Sequence, residues 1–476
     1  MTPAAPREPS IELLAGWGNA APTAARVHTP ASAGEAAGLV SPDPQMAHQR
    51  GLPARGLLAR GLGRAYGDAA QNAGGLVLRT SALNHIDLDE SAAAATVGAG
   101  VSLDALLRVT LPRGLFVPVT PGTRWVSCGG ALACDVHGKN HHVDGSWSRH
   151  VSRFGLATPR GMLEDVLPGS PEFAATAGGM GLTGLITDLT LRLIRVPTSA
   201  IVVDTERTAD LDACMARMLD NDADYRYSVA WLDCLAGSGR TGRGVLTRGN
   251  HAEVADLPAR ARHDPLRYAP ATRLAVPPVP PGLPSGLLSR RAVTAFNAAY
   301  YHRAPARATT VEPLVSYFYP LDVIAHWNRM YGARGFLQYQ YAVPYGQEEV
   351  VRQTLRRLEA AGCPSYLAVF KRFGPQDGLL AFPLEGWTLA LDLPAAAPGL
   401  GRVLDGLDEL VAAAGGRIYL AKDSRLRPDL LAAMYPRLDE WRAIRDKLDP
   451  EETMRSDLSR RLGLAGADAE PRGGAR

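Results

Sequence analysis

Three glycine-rich segments in the first 190 residues have the composition of loops that hold an anionic ligand. They are RGLGRAYGD at residues 60–68, PGTRWVSCGGA at residues 121–131 and TAGGMGLTGLI at residues 176–186. Glycine has no Cβ and tolerates positive φ angles, so backbone N–H groups in such loops can approach a phosphate closely. Each segment alone also fits an ordinary turn, and the first lacks the GxGxxG spacing of a Rossmann turn. Together they predict one ligand with a long polar spine, such as a dinucleotide.

Two further segments concentrate side chains that could take part in catalysis. CDVHGKNHH at residues 134–142 has a spacing that could hold zinc. Lys139 lies between the potential ligands, however, so histidines hydrogen-bonded in a polar turn are the favoured interpretation and no metal site is predicted. YLAKDSR at residues 419–425 places Lys422 after an apolar run and beside Asp423. This lysine could form a surface ion pair, or it could be partly buried with a lowered pKa; the sequence leaves both open.

The bulk composition is that of a globular protein with two or three domains, as expected for 476 residues. The 51 basic and 48 acidic residues are too balanced for a general nucleic-acid-binding protein. The five cysteines form no disulfide framework. Residues 1–10 lack the apolar core of a signal peptide, and no run of about 18 apolar residues occurs. The expectation is a cytoplasmic location, with peripheral membrane contact and a periplasmic location left open.

The elements that must position these motifs change in character near residue 200. Before it, short apolar runs broken by glycine predict strands, and after it strands alternate with helical periodicity. The predicted strands are 56–60, 76–79, 95–98, 116–119, 185–196, 201–204, 366–371 and 387–393. The predicted helices are centred on residues 211–219, 351–358 and 403–411. The pattern predicts an α+β fold, with frayed segments at residues 1–10 and 466–476.

One stretch differs from the rest of the chain. The proline-rich segment Val276–Pro284 predicts a stiff connector. It is followed by Leu287–Arg307, where arginines alternate with apolar and aromatic residues. Such a segment could face a membrane surface, although a solvated amphipathic helix is the favoured interpretation.

In combination, these motifs resemble the decaprenylphosphoryl-β-D-ribose 2′-oxidase family, within the vanillyl-alcohol oxidase (PCMH) type of FAD-binding proteins. The most specific matches are GLGRAYGDAAQN at residues 61–72 and HGKNHH at residues 137–142. Further matches follow in the family's order from about residue 15 to about residue 462. The resemblance implies a two-domain α+β fold. Residues 1–200 and 416–465 would form the FAD domain, residues 201–415 an α+β substrate domain, and residues 466–476 a disordered tail.

The resemblance also implies roles for individual residues. FAD would be held non-covalently, and the residues expected to contact it are Gly61, Gly63, Arg64, Ala65, Tyr66, Gly67, Pro121, Gly122, Thr123, Gly129, Gly130, Cys134, His137, Gly138, Gly181, Thr183, Gly184, Ile186 and Tyr419. Lys422, His137 and Tyr66 would be catalytic. The residues expected around the substrate are Tyr319, Gln340, Lys371 and Lys139. As a neutral amine, Lys422 would be a base; as an ammonium, it would stabilise the reduced flavin.

The implied activity is oxidation of the 2′-hydroxyl of decaprenylphosphoryl-β-D-ribose, or a similar polyprenyl-phosphoryl ribose, to the 2′-keto compound. This is the first half of epimerisation to the arabinose donor for cell-wall arabinan, and an NADH-dependent short-chain reductase is the implied partner. Thr388 and Ala390 stand where family members often have Asn and Cys. The alternatives are an O₂-using aldonolactone or alditol oxidase of the same superfamily, and a protein that keeps FAD without turnover.

Overall fold

The computed structural model describes residues 9–41, 55–237, 240–268, 278–283, 289–363, 365 and 367–465. Of the segments predicted to be frayed, residues 1–8 and 466–476 lie outside the described residues, and Ser10 begins the first strand. The two ends of the proline-rich segment, residues 276–277 and residue 284, also lie outside them, as do residues 287–288 and residue 366.

The strands before residue 200 form two sheets and a short pair. In chain order they are β1 Ser10–Leu14, β2 Thr23–His28, β3 Leu57–Arg60, β4 Leu76–Arg79, β5 Ile86–Asp89, β6 Ala94–Gly98, β7 Leu115–Phe116, β8 Val151–Thr158, β9 Gly161–Val166, β10 Leu185–Arg192 and β11 Ile194–Arg195. The sheet orders are β1-β2-β4-β3 and β5-β6-β10-β8-β9, and β11 pairs with β7. Strand β3 runs parallel to β4 and leads directly into the first glycine-rich loop.

The later strands form one eight-stranded sheet. They are β12 Ala200–Thr208, β13 Tyr227–Leu232, β14 Gly244–His251, β15 Arg307–Pro313, β16 Phe336–Pro344, β17 Ala368–Phe373, β18 Gly386–Pro394 and β19 Arg417–Ile418. The order is β15-β12-β14-β13-β17-β18-β16-β19. Strand β18 is buried along almost its whole length, because it lies between β17 and β16 in the interior of the sheet. Its apolar run is typical of such a strand.

The helices surround these sheets. The α-helices are α1 Ala33–Val40, α2 Leu103–Thr110, α3 Cys128–Ala133, α4 His141–Asp144, α5 Pro171–Thr176, α6 Leu211–Leu219, α7 Arg290–Arg303, α8 Leu314–Phe318, α9 Glu348–Ala360, α10 Leu400–Ala413, α11 Pro428–Met434, α12 Leu438–Leu448 and α13 Asp457–Leu462. Single 3₁₀ turns are Thr80–Ala82, Leu111–Arg113, Trp147–His150, Asp222–Asp224, Val254–Asp256, Ala259–Ala261, Pro320–Val323 and Trp327–Tyr331. The apolar faces of α9 and α10 join the large sheet in one hydrophobic core.

Local patterning predicted most of the compared elements within a few residues, and two predicted strands differ from the structure. The run at residues 116–119 forms only the two-residue strand β7, which pairs with β11. Pro118 has no N–H to donate to a ladder, so the strand ends before it. The predicted strand at residues 185–196 is divided into β10 and β11 at Leu193, whose N–H donates to the Ala93 carbonyl at 2.7 Å.

After β19, the chain returns to the first sheet and packs on the first glycine-rich loop. The N–H of Leu57 donates to the Thr453 carbonyl at 2.8 Å, and the N–H of Tyr66 donates to the Ala421 carbonyl at 3.0 Å. Strand β19 itself is hydrogen-bonded to β16 at the edge of the large sheet. The return therefore joins the two parts of the molecule; the domain boundaries near residues 200 and 415 stay predictions.

Candidate active site

A cleft separates the glycine-rich loops from one face of the large sheet. Most of the residues singled out in the sequence line it: Gly61, Gly63, Arg64, Ala65, Tyr66, Pro121, Gly122, Thr123, Gly129, Gly130, Cys134, His137, Gly181, Gly184, Ile186, Gln340, Lys371, Tyr419 and Lys422. All three glycine-rich segments contribute to this one cleft, as expected if a single elongated ligand binds them. The fold thus brings together segments that are far apart in sequence, as Gly61 and Lys422 are.

The glycines of the loops are needed for backbone conformation and close packing. Gly63 and Gly181 have φ angles of 66° and 75°, in the left-handed region that favours glycine. A Cβ added at Gly61 would lie 2.0 Å from the hydroxyl oxygen of Ser127, which caps helix α3 by accepting from Gly130 N–H. The loops therefore present backbone rather than side chains to the cleft. Such a cradle suits the pyrophosphate and ribityl chain of FAD.

The first glycine-rich loop is fixed by buried ion pairs with the C-terminal return. The guanidinium of Arg461 on α13 binds both carboxylate oxygens of Asp68, each at 2.8 Å. It also lies 2.8 Å from a carboxylate oxygen of Asp423. Because Asp423 directly follows Lys422, this cluster fixes the position of the lysine relative to the loop.

The opposite wall of the cleft is one face of strands β16, β17 and β18. Side chains alternate between the two faces of a strand, so Gln338 and Gln340 of β16 share this face with Lys371 of β17 and Ala390 of β18. Ala390 lies opposite Gln340 in the antiparallel register. The polar side chains at the cleft are therefore neighbours across strands, although the chain segments between them are long.

Lys422 is a partly buried residue of the cleft, and its environment shifts its protonation equilibrium towards the neutral amine. Burial, together with the positive charge of Lys371, lowers the pKa of Lys422 well below the usual lysine range. The carboxylate of Asp392 opposes this shift. Burial in turn raises the pKa of Asp392, which accepts a hydrogen bond from Gln338 Nε2 at 2.5 Å. The ring centre of Tyr66 is 5.4 Å from Lys422 Nζ.

His137 is a buried neutral imidazole at the same wall. Burial, with smaller effects from Lys371 and Lys422, lowers its pKa far below the ordinary value. Its Nε2 is 3.0 Å from Nε2 of Gln340. The rings of Phe373 and Tyr419 pack against it, with centroids 4.9 and 5.1 Å away.

Lys371 is the second partly buried lysine of the cleft. Burial lowers the pKa of Lys371 to about 8, so the ammonium still predominates at neutral pH. Its Nζ donates to the Gly138 carbonyl at 3.4 Å, a long hydrogen bond that leaves donor capacity for a ligand. The residue is suited to binding an anionic group in the cleft.

Five residues of the predicted site do not line the cleft: Gly67, Gly138, Thr183, Tyr319 and Lys139. The hydroxyl groups of Tyr319 and Thr120 are 2.7 Å apart. Lys139 Nζ donates to the Tyr317 carbonyl at 2.5 Å and lies 3.9 Å from the centre of the Tyr317 ring. Burial lowers the pKa of Lys139 to about 7. Their roles in binding cofactor or substrate stay predictions.

Several cleft residues had no role in the sequence-based prediction, among them Trp17, Asp322 and Gln338. The guanidinium of Arg64 stacks on Trp17, 3.7 Å from the ring centre. Asp322 accepts from Thr123 Oγ at 2.7 Å and from Arg124 N–H at 2.9 Å, so it holds the second glycine-rich segment. Asp392, buried beside Lys422, was also missed. A carboxylate inside the apolar run of β18 is the signal that could have identified it, because buried charges need partners.

The histidines of the segment at residues 134–142 are hydrogen-bonded in place. His141 Nδ1 accepts from Gly374 N–H at 3.2 Å, and His142 Nε2 lies 3.2 Å from the Tyr225 carbonyl. In the described part of the chain, no group of three or more His, Cys, Asp or Glu side chains could hold a metal ion.

None of the helices described here is long and apolar enough to cross a membrane.

Comparison with known proteins identifies the family. Residues 25–166 match the family model of an FAD binding domain, and residues 398–462 match that of D-arabinono-1,4-lactone oxidase. The chain is 40% identical over 461 residues to decaprenylphosphoryl-beta-D-ribose oxidase of Mycolicibacterium smegmatis, and the alignment covers 96% of this chain and 98% of the relative. The chain belongs to the decaprenylphosphoryl-β-D-ribose oxidase family.

Membership of the decaprenylphosphoryl-β-D-ribose oxidase family confirms the resemblance inferred from the motifs, together with the α+β FAD-binding fold. A Streptomyces coelicolor protein encoded in the 5′ region of mprA is 44% identical over 372 residues, which cover 76% of this chain and 100% of the relative. An alditol oxidase of a Streptomyces species is 26% identical over 447 residues, 91% of this chain and 94% of the relative. The protein is an FAD-dependent oxidoreductase.

Proposed function

We propose that this protein oxidises the 2′-hydroxyl of decaprenylphosphoryl-β-D-ribose, or of a similar polyprenyl-phosphoryl ribose, to the 2′-keto compound. The observation that carries the proposal is the pair of partly buried lysines, Lys422 and Lys371, on a cleft walled by glycine-rich loops. Burial lowers the pKa of Lys422 to about 7 and that of Lys371 to about 8, so both amines titrate near neutral pH. A proton acceptor and an anion-binding group in one cleft suit an alcohol that carries a phosphate.

The glycine-rich loops and Arg64 would hold FAD non-covalently. When bound, FAD supplies the acceptor for the hydride that leaves the alcohol carbon. Most of the cofactor contacts predicted from the sequence in the three glycine-rich segments line the same cleft, Gly67 and Thr183 being the exceptions, which supports this proposal. Arg64 has a buried Nε without a hydrogen-bond partner, so it retains a donor for an anionic group.

Lys422 would remove the proton of the reacting hydroxyl. An efficient general base has a pKa near the working pH, and burial brings the pKa of Lys422 down from the usual lysine range towards it. The neighbouring Asp392 would stabilise the ammonium that proton transfer creates, because its carboxylate favours the charged lysine. This supports the role of Lys422 as a base over a role as a permanent cation.

Lys371 would bind the substrate phosphate. Lysine commonly binds phosphate as a point charge, and the Lys371 ammonium has only the long hydrogen bond to Gly138 among the bonds described. Gln340 and His137, which line the same wall, would contact the sugar. The product of the reaction is a ketone, so epimerisation to the arabinose donor for cell-wall arabinan requires a reductase. An NADH-dependent short-chain reductase is the proposed partner.

We also propose that helix α7 contacts a membrane surface peripherally. The helix contains Arg290, Arg291 and Arg303 and no acidic residue. Phe296 and Tyr300 are 52% and 44% exposed, although large aromatic side chains favour burial. A basic helix with exposed aromatic residues is typical of binding to anionic lipid. The membrane side, cytoplasmic or periplasmic, is left open in this proposal.

Anaerobic reduction of the flavin tests the activity. A polyprenyl-phosphoryl ribose added to the yellow holoenzyme is expected to bleach the flavin absorbance within one turnover, and Lys422→Met is expected to abolish this bleaching. Lys447→Met, which removes an exposed lysine, is the matched control and should behave as the parent protein. Bleaching by a free alditol or aldonolactone, but not by the lipid-linked ribose, would contradict the proposal and favour the alditol oxidase alternative.

A further inference from the structure

A buried hydrogen-bond chain runs from Thr388 through Gln340 to His137. Gln340 Nε2 is 3.0 Å from Thr388 Oγ1 and 3.0 Å from His137 Nε2. Thr388 is fully buried, and Gln340 is 1% exposed. Gln340 and His137 line the cleft; Thr388 shares the face of β18 that Ala390 occupies but does not itself line the cleft. Thr388 can therefore act on the contents of the cleft only through its neighbours.

The direction of each hydrogen bond in this chain follows from the number of available protons. The Thr388 hydroxyl has one proton, which it donates to the Tyr341 carbonyl at 2.8 Å. It must therefore accept from Gln340, which fixes the Gln340 amide with Nε2 towards Thr388. The second proton on the same nitrogen points at His137 Nε2, and that ring nitrogen must be the acceptor.

An accepting Nε2 decides the tautomer of His137. The imidazole is neutral, because burial lowers its pKa far below the ordinary value, so its single proton lies on Nδ1. His137 Nδ1 and Gln340 Oε1 are both buried, and neither has a hydrogen-bond partner within the protein. The pair thus leaves one buried donor and one buried acceptor without a partner in two residues that line the cleft.

We infer that Thr388 is a positioning residue for the reaction. Its hydroxyl fixes the Gln340 amide and thereby sets the His137 tautomer, which holds two residues of the cleft wall in one hydrogen-bonding state. Without the hydroxyl, the amide is free to turn over, and His137 would then donate from Nε2 to the Gln340 oxygen. The inference rests on the proposed function only in its second readout, the reduction of the flavin by the proposed substrate.

Thr388→Val is the direct test, because valine keeps the shape of threonine and removes the hydroxyl. Nitrogen-15 NMR of histidine-labelled protein reports the protonated ring nitrogen, with or without FAD. In the parent protein the His137 signals, assigned by their loss in His137→Asn, are expected to show a protonated Nδ1 and an unprotonated Nε2. In Thr388→Val the Nε2-protonated form is expected to appear, and Thr388→Ser should restore the parent spectrum.

Flavin reduction by substrate gives the functional readout. Thr388→Val is expected to lower the maximal rate of reduction by roughly tenfold or more, since misplacement by about 1 Å can cost on the order of 100-fold. Thr388→Ser should recover most of that rate. An unchanged His137 tautomer in Thr388→Val would overturn the inference.

A second variant keeps the test open if Thr388→Val fails to fold. Gln340→Glu replaces the donating amide by a carboxyl group that accepts, so it should move the His137 proton to Nε2. Retention of the Nδ1 proton in Gln340→Glu would equally contradict the inference. Because the NMR signals need no substrate, failure of the proposed activity would leave the tautomer result unaffected, and the two failures can be distinguished.

Discussion

The buried guanidinium of Arg461 should be a main determinant of both stability and FAD binding, and Arg461→Met tests this. Methionine fills a similar volume but leaves the carboxylates of Asp68 and Asp423 without their common partner. The Arg461 and Asp423 side chains are 6% and 3% exposed, so solvent cannot replace the lost ion pairs. Removing one member of a buried ion pair costs about 3–5 kcal/mol, and this is the expected decrease in the free energy of unfolding.

Urea unfolding followed by tryptophan fluorescence measures this decrease, and titration of apoprotein with FAD measures the Kd. The Kd is expected to rise, because Asp68 ends the first glycine-rich loop. Arg437→Met is the matched control: Arg437 and its partner Glu440 are about half exposed, and such pairs contribute roughly 0–1 kcal/mol. A loss of less than about 1 kcal/mol in Arg461→Met would refute the reasoning.

The pH dependence of the Arg461→Met defect follows from the same charges. Burial already raises the pKa of Asp68 in the parent protein, and Arg461 opposes that shift. In the variant the pKa of the buried carboxyl should rise further above its unfolded value. At neutral pH the carboxylate is charged, so the variant is destabilised by the full free-energy cost of burying that charge. This cost disappears as the pH falls through the raised pKa and the carboxyl group takes up a proton. The difference in unfolding free energy between parent and variant should therefore shrink in acid.

Three further predictions concern the cofactor, the base and the membrane. Gly61→Ala should raise the Kd for FAD at least about tenfold, or ~1.4 kcal/mol, because the alanine Cβ would lie 2.0 Å from the hydroxyl oxygen of Ser127. Gly38→Ala is the control and should leave the Kd unchanged, because a Cβ at Gly38 would meet open space. The rate of flavin reduction by substrate should fall as the pH drops through the lowered pKa of Lys422, because only the neutral amine accepts a proton. An unperturbed lysine titrates at a pH of about 10. A reduction rate that does not change between about pH 6 and about pH 10 would contradict the prediction. Charge reversal of Arg290 and Arg291 to Glu should weaken sedimentation with anionic vesicles roughly 30-fold or more, at about 1 kcal/mol for each arginine lost; equal binding by parent and variant would argue against contact through α7.

Sequence patterning predicted the elements that depend on near neighbours in the chain. The apolar spacing in α6 and the alternation in β10 were readable because the residues that share a face are two to four positions apart. The glycine-rich loops were readable for a similar reason, since φ angles such as that of Gly63 depend on the residue type itself. Strand β7 was overestimated because the apolar character of Phe116–Val119 was given more weight than Pro118.

The positions of site residues that depend on strand pairing were not readable in this way. Asp392 comes close to Lys422, and Thr388 to Gln340, only because β18 pairs with β16 in one particular register. Lys139 belongs to the family-specific segment HGKNHH, yet its side-chain nitrogen lies over the Tyr317 ring and the residue does not line the cleft. No local pattern specifies which distant segment a side chain will meet.

The sequence by itself determined the family, the glycine-rich loops and the chemical groups available for catalysis. Only the tertiary structure decided which of those groups share the cleft, which protonation states they favour and which buried residues support them. The physical reason is that glycine conformation and amphipathic periodicity are local properties of the chain. Desolvation, ion pairing and hydrogen-bond direction are set by atoms hundreds of residues away, as at Lys422, whose pKa depends on the burial created by the fold.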